Sequence, residues 1–242
     1  MRQILTSLAV LTVLFAAPTF SSADSILWEQ APTPNPANGL INVVTPQGDQ
    51  EEDFSTALVN DVTFQTDVRI SSVTTYFSDV NVSPWTNGGV FNAVLNIFDG
   101  DPLTDADAAF DGGDFGSAVQ VTALDPNNSG FDGVWSLTVS GLNLTLDAGT
   151  YFFGLTPEYS GDDGQEFHVN SATEFGSPTF FRNPSNGIGL GGGWQDVANL
   201  GQPGAYRPGF EASITIRKTV PEPTAACLLA LGTLGLTARR RR

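Results

Sequence analysis

The sequence is short of cysteine, histidine and basic residues. Of its 242 residues one is cysteine, Cys227, and one is histidine, His168. A single thiol forms no intramolecular disulfide, so stability must come from packing or from bound metal. A lone histidine excludes an imidazole-based metal set, which needs partners of its own kind. No nucleophile elbow is present to build a Ser-His-Asp site around it. Ten Lys and Arg stand against 26 Asp and Glu, a net charge of −16. Between Asp24 and Thr219 the imbalance sharpens to 25 acidic and five basic residues, a formal −20. Such a surface repels nucleic acid and other polyanions and attracts divalent cations, which excludes nucleic-acid binding. The glycines between Gly187 and Gly193 have no lysine and no following helix, so they make no phosphate loop. Apolar spacing of three and four residues, the mark of an amphipathic helix, is also missing from the interior of the chain.

What is present is a period of two. Phe91, Ala93, Leu95 and Ile97 alternate with Asn92 and Asn96. Trp135, Leu137 and Val139 alternate with Ser136 and Thr138, and Leu142, Leu144 and Leu146 with Asn143 and Thr145. Val73, Thr75 and Phe77 repeat the pattern near the front, and Phe210, Ala212, Ile214 and Ile216 near the end. Each run has one wet face and one dry face. Gly, Asn, Asp and Pro clusters interrupt them at 83–89, 99–116, 125–133, 147–149, 160–164 and 183–193. The expected fold is all-β: a single antiparallel, jelly-roll-like β-sandwich of about eight to ten strands spanning residues 40–218. Residues 24–39, with Pro32, Pro34 and Pro36, read as an extended proline-rich entry segment.

The two ends are addresses. Arg2 gives a positive start, Ile4 to Ala17 an apolar stretch, and Ser21-Ser22-Ala23 small residues where a signal peptidase reads. Residues 1–23 are thus expected to be a signal-peptide helix cleaved after Ala23. At the other end, 219–242 holds Pro221-Glu222-Pro223, an apolar run from Thr224 to Ala238, and Arg239, Arg240, Arg241 and Arg242. That run is 15 residues, about 22 Å as a helix against a hydrocarbon core of ~30 Å, so it is a marginal transmembrane helix. Four guanidiniums cannot follow it across and hold the C-terminus in the cytoplasm. The two prolines keep Glu222 extended just outside the membrane surface.

These tail residues resemble the PEP-CTERM sorting signal of exported Gram-negative proteins. The resemblance implies that Pro221, Glu222, Pro223 and the four terminal arginines are read by an exosortase-like enzyme in the inner membrane. It further implies a brief membrane-anchored stage, then a place at the cell surface, in the outer envelope or in the extracellular matrix. A second resemblance concerns the interior: Asp53-Phe54, Ile97-Phe98-Asp99 and Leu146-Asp147-Ala148-Gly149-Thr150-Tyr151-Phe152 look like the β-sandwich domain common in PEP-CTERM proteins, with Phe152 where tryptophan is usual. These are turn and core residues, so they imply a fold and no activity. In the turn, Gly149 is free to take a positive φ.

Candidate sites lie in the loops. Asp99, Asp101, Asp105 and Asp107 form an acidic run suited to calcium, which takes six to eight oxygens at flexible distances. The run is not an EF-hand, because Leu103 and Phe110 occupy its fifth and twelfth places; a solvated acidic loop explains it without metal. Trp85 and Trp194 are candidates for stacking on sugar faces, against the reading of buried loop anchors. Glu158, Asp162, Asp163 and Glu166 include enough acids for a glycosidase pair, yet turn solubility accounts for them. His168, between Phe167 and Val169, reads as a strand residue. The expected function is that of a non-enzymatic envelope or matrix protein sorted through its tail. The alternative is a lectin-like module that binds extracellular polysaccharide, with calcium as its candidate cofactor.

Overall fold

The computed structural model describes residues 23–33, 56–79, 90–104, 110–112, 115, 118–123, 133–159, 166–171, 179–183, 192–197 and 211–220. Among them are twelve strands. The first six are β1 (Ala23–Gln30), β2 (Ala57–Phe64), β3 (Val68–Asp79), β4 (Val90–Phe98), β5 (Phe110–Gly112) and β6 (Val119–Ala123). The remainder are β7 (Val134–Leu146), β8 (Gly149–Tyr159), β9 (Glu166–His168), β10 (Phe180–Arg182), β11 (Gln195–Asp196) and β12 (Ile214–Val220).

They make two six-stranded sheets. One runs β1-β12-β3-β7-β6, with β9 paired to the end of β3; the other runs β11-β10-β2-β8-β4-β5. The β12, β7 and β9 pairings on β3 are antiparallel, as are those of β2 and β4 on β8. The inner faces share one core. Ile70, Val73, Phe77, Leu137, Val139 and Ile216 from the first sheet pack with Val62, Phe64, Leu95, Ile97, Phe153 and Leu155 from the second. Thr75 also faces inward, and its hydroxyl donates across the gap to the Leu155 carbonyl at 3.4 Å. This is the antiparallel sandwich that period-two alternation predicts.

Two apolar runs that the sequence separates, 135–139 and 142–146, belong to one 13-residue strand, β7. The parity of inward residues changes from odd to even between Val139 and Leu142, which a regular strand cannot do. The β3 register shifts at the same level, from Ile70 opposite Leu144 to Ser72 opposite Ser140. Gly141 supplies the irregularity with a φ of 73°, a conformation that costs glycine little. Gly149, expected to take the positive φ, does not. It opens β8 in register with Phe64, and the turn before it is held by Tyr151 Oη donating to the Asp147 carbonyl at 3.2 Å.

Residues 24–30, read from sequence as part of an entry segment, are extended but paired beside β12. The run Ile26-Leu27-Trp28 has no clean alternation, which is why periodicity passes over it. Asp24–Thr219 forms one compact unit. The expected signal-peptide and transmembrane helices, at 1–22 and 224–238, lie outside the described residues.

Candidate functional site

Three features of the sandwich carry chemistry. The first is the junction with the tail. Ile214 to Arg217 of β12 pair with Thr75 to Ser72 of β3, and the strand ends at Val220. Pro221, which has no N–H to extend a ladder, follows at once.

The second is a polar lattice on the outward face of the first sheet. Register sets Thr215 beside Thr74, Thr74 beside Thr138, and Thr138 beside Gln120. A flanking row holds Arg217, Ser72 and Ser140, and another holds Tyr76, Ser136 and Thr122. All of these except Thr215 and Thr122, together with Asp24, border an open groove of about 340 Å³. The groove's hydroxyls are bonded, Thr74 to Thr138 at 2.8 Å and Tyr76 to the buried Thr215 beside it at 3.1 Å. Asp24 Oδ1 accepts from the Ser71 hydroxyl at 3.2 Å at one end. Sequence reading found the wet face of each strand and missed this array, since transverse neighbours depend on register.

The third is a buried polar knot joining the two sheets. Asn60 of β2 donates to Gln30 Oε1 at 2.9 Å and to the Ala212 carbonyl at 2.9 Å, and its own oxygen accepts from the Thr179 hydroxyl. Gln30 donates to Glu211 Oε2 at 2.6 Å. Thr179 Oγ1 accepts from the Ala212 N–H at 3.1 Å, and Asn170 Oδ1 from the Glu211 N–H at 3.1 Å. Gln30, Asn60, Thr179 and Glu211 are all buried. Such groups are held in place because leaving any one unpaired away from water is expensive.

The residues singled out from sequence are scattered. Asp99 and Asp101 are exposed; Asp101 Oδ1 accepts from the Leu103 N–H at 2.9 Å, so that carboxylate closes its own turn. Asp105, Asp107 and Trp85 lie outside the described residues. Trp194 is half-buried and meets Phe98 edge-on at 5.3 Å, beside Val59, Phe152 and Phe180. Glu158 accepts a hydrogen bond from the Asn92 amide, while Asp162 and Asp163 lie outside the described residues. His168 closes β9 opposite Phe77, with ring centroids 4.4 Å apart. Burial disfavours the imidazolium and lowers its pKa from 6.5 to about 3. Ala23 is the first residue of β1. Pro221, Glu222, Pro223 and Arg239 to Arg242 lie outside the described residues.

Comparison with known proteins finds one relationship. The family model of the PEP-CTERM protein-sorting motif matches residues 219–242. No curated protein and no solved structure matches the chain. The chain is a PEP-CTERM-bearing exported protein, and its tail is a motif handled by an exosortase-like sorting enzyme.

Proposed function

We propose that this chain is a non-enzymatic protein of the bacterial cell envelope or extracellular matrix, delivered by its signal peptide and matured by removal of its C-terminal tail. The observation that carries the reading is the PEP-CTERM match at 219–242, directly behind the last strand of a sandwich that carries a formal −20. In this reading Glu222 is the residue that the sorting enzyme grips, Pro221 and Pro223 keep it extended, and the terminal arginines hold the substrate in the inner membrane until it is cut.

Two features of the sandwich support a role without turnover. His168, the only imidazole, is sealed beneath Phe77 and neutral above about pH 3, so it is badly placed to exchange protons with a substrate. Glu158 is engaged by Asn92, and Asp101 by its own turn.

Intact mass of the protein from its native cells tests the proposal. Wild type should start at Asp24, end within Pro221–Pro223 and be found at the surface or in the matrix. The Glu222→Ala variant should keep Arg242 and stay in the inner membrane. Normal processing of that variant would sink the sorting mechanism.

A further inference from the structure

We propose that the outward face of strands β12, β3, β7 and β6 binds an uncharged polysaccharide chain. Shape comes first. The groove of about 340 Å³ falls in the lower range of small-ligand clefts, about 300–1,000 Å³, and it is open to solvent, so a polymer can lie across it. Its rows repeat about every 6.8 Å along the strands, and its columns about every 4.8 Å across them. The groove therefore offers a regular series of polar contacts.

The chemistry of the lining selects the class of ligand. The described residues that border it are all of polar types, which disfavours an acyl chain or an apolar peptide face. Ser136 and Ser140 donate their hydroxyl protons sideways, to the Thr122 and Ala118 carbonyls at 3.2 and 3.4 Å, which leaves their oxygen lone pairs as acceptors. In each of the hydroxyl pairs Thr74–Thr138 and Tyr76–Thr215, one member donates to the other; Thr74 and Thr215 are buried, so the half-buried Thr138 and Tyr76 are the members of these pairs that a ligand can reach. Gln120 is exposed and carries both an amide donor and an amide acceptor. The face thus presents donors and acceptors in mixture, matching a sugar hydroxyl, which is both at once.

Charge points the same way. Among the described residues, Arg217 and Asp24 are the ionic side chains that border the groove, one of each sign, in a domain with a formal charge of −20. A polyanion meets long-range repulsion there, and a polycation finds stronger attraction elsewhere on the surface. An electroneutral polyol is the polymer that this patch accepts without an electrostatic penalty. The inference adds a ligand class to the envelope or matrix reading without depending on the sorting mechanism.

The test uses the mature, full-length processed protein in affinity gel electrophoresis against a panel of neutral glucans with α-1,6, β-1,3 and β-1,4 linkages, with alginate as the anionic control. At least one neutral glucan should retard the protein, alginate should not, and the double variant Gln120→Ala/Thr138→Val should weaken retardation at least tenfold. The valine keeps the threonine's shape and strand preference, and circular dichroism checks the fold. Should the double variant misfold, Gln120→Ala alone, at an exposed position, should still weaken binding several-fold. Retardation by no neutral glucan, preference for alginate, or unchanged binding by a folded variant overturns the proposal. A protein that is correctly sorted yet binds no glucan overturns this inference alone.

Discussion

Acid should destabilise the sandwich through His168, and the sign follows from burial. In the folded protein the ring stays neutral down to about pH 3, whereas the ordinary pKa, which the unfolded chain recovers, is 6.5. Between those values the unfolded state binds more protons, so stability rises with pH across the window and is lost as pH falls through it. The loss grows by about 1.4 kcal/mol per pH unit, reaches about 3 kcal/mol at about pH 4 and levels off near 5 kcal/mol below about pH 3. For a domain of this size, about 3 kcal/mol corresponds to about 6–12 °C in Tm. The raw curve of stability against pH mixes this with a second effect, because protonating the 25 acids of the exported unit relieves self-repulsion. The assay is therefore a difference: urea unfolding of wild type and of His168→Gln, which cannot titrate, followed by tryptophan fluorescence at about pH 7 and about pH 4. At the higher pH the variant should be the weaker of the two, having lost ring packing on Phe77. At the lower pH its deficit should shrink by about 3 kcal/mol. Deficits equal at the two pH values would refute the reasoning, and would mean that β9 opens to let the ring take its proton while the rest of the fold survives.

Three further outcomes follow from packing. Asn60→Ala should lower stability by about 3 kcal/mol in urea titration, because it orphans Gln30 Oε1, the Ala212 carbonyl and the Thr179 hydroxyl. Asn60→Asp should do worse, exchanging an amide donor for an anion beside Glu211; a neutral result for either would show the knot to be dispensable. Gly154→Ala should lower Tm by several degrees or prevent folding, since a Cβ there would sit 1.9 Å from the Leu58 carbonyl oxygen, and separating the strands costs about 1–3 kcal/mol or more. Trp194→Ala should lower stability by about 2 kcal/mol, half the cost of emptying a fully buried site; an unchanged melting temperature would return Trp194 to the candidates for ligand contact.

The sandwich was legible because its core strands obey a strict alternation. Leu95, Ile97, Leu137 and Val139, expected inside, are fully buried. What failed to show was anything that depends on register or on long-range pairing. The break in parity between Val139 and Leu142 was visible as two runs, but only the position of Gly141 opposite β3 reveals one strand with an irregularity. β1 lacks alternation because its residues serve different neighbours: Leu27 and Trp28 pack on the core, while Asp24 and Gln30 reach polar groups of β3 and of the segment before β12. The polar knot was invisible for a similar reason. Gln30, Asn60, Thr179 and Glu211 are far apart in sequence and of types ordinarily placed on the surface. The sorting tail was the most legible part, since its meaning lies in linear order and needs no fold.

The two processing points bear differently on stability. In the first sheet, β12 lies between β1 and β3, so the sheet is incomplete until the residues just before the tail have crossed the membrane. A cut within Pro221–Pro223 leaves every registered pair of β12 with β3, from Ile214 to Arg217, in place. Maturation at that point removes none of these pairs and should leave unfolding free energy unchanged. A cut only four residues upstream, between Arg217 and Lys218, would end the chain at the last registered pair, and its new carboxylate would lie beside the Asp24 carboxylate that already accepts from Ser71. With no disulfide available to hold the edge, such a product should fray at β1 and β12. Comparing the urea midpoints of chains ending at Val220 and at Arg217 would distinguish these cases; equal midpoints would mean that β1 is held by the polar knot at Gln30 alone.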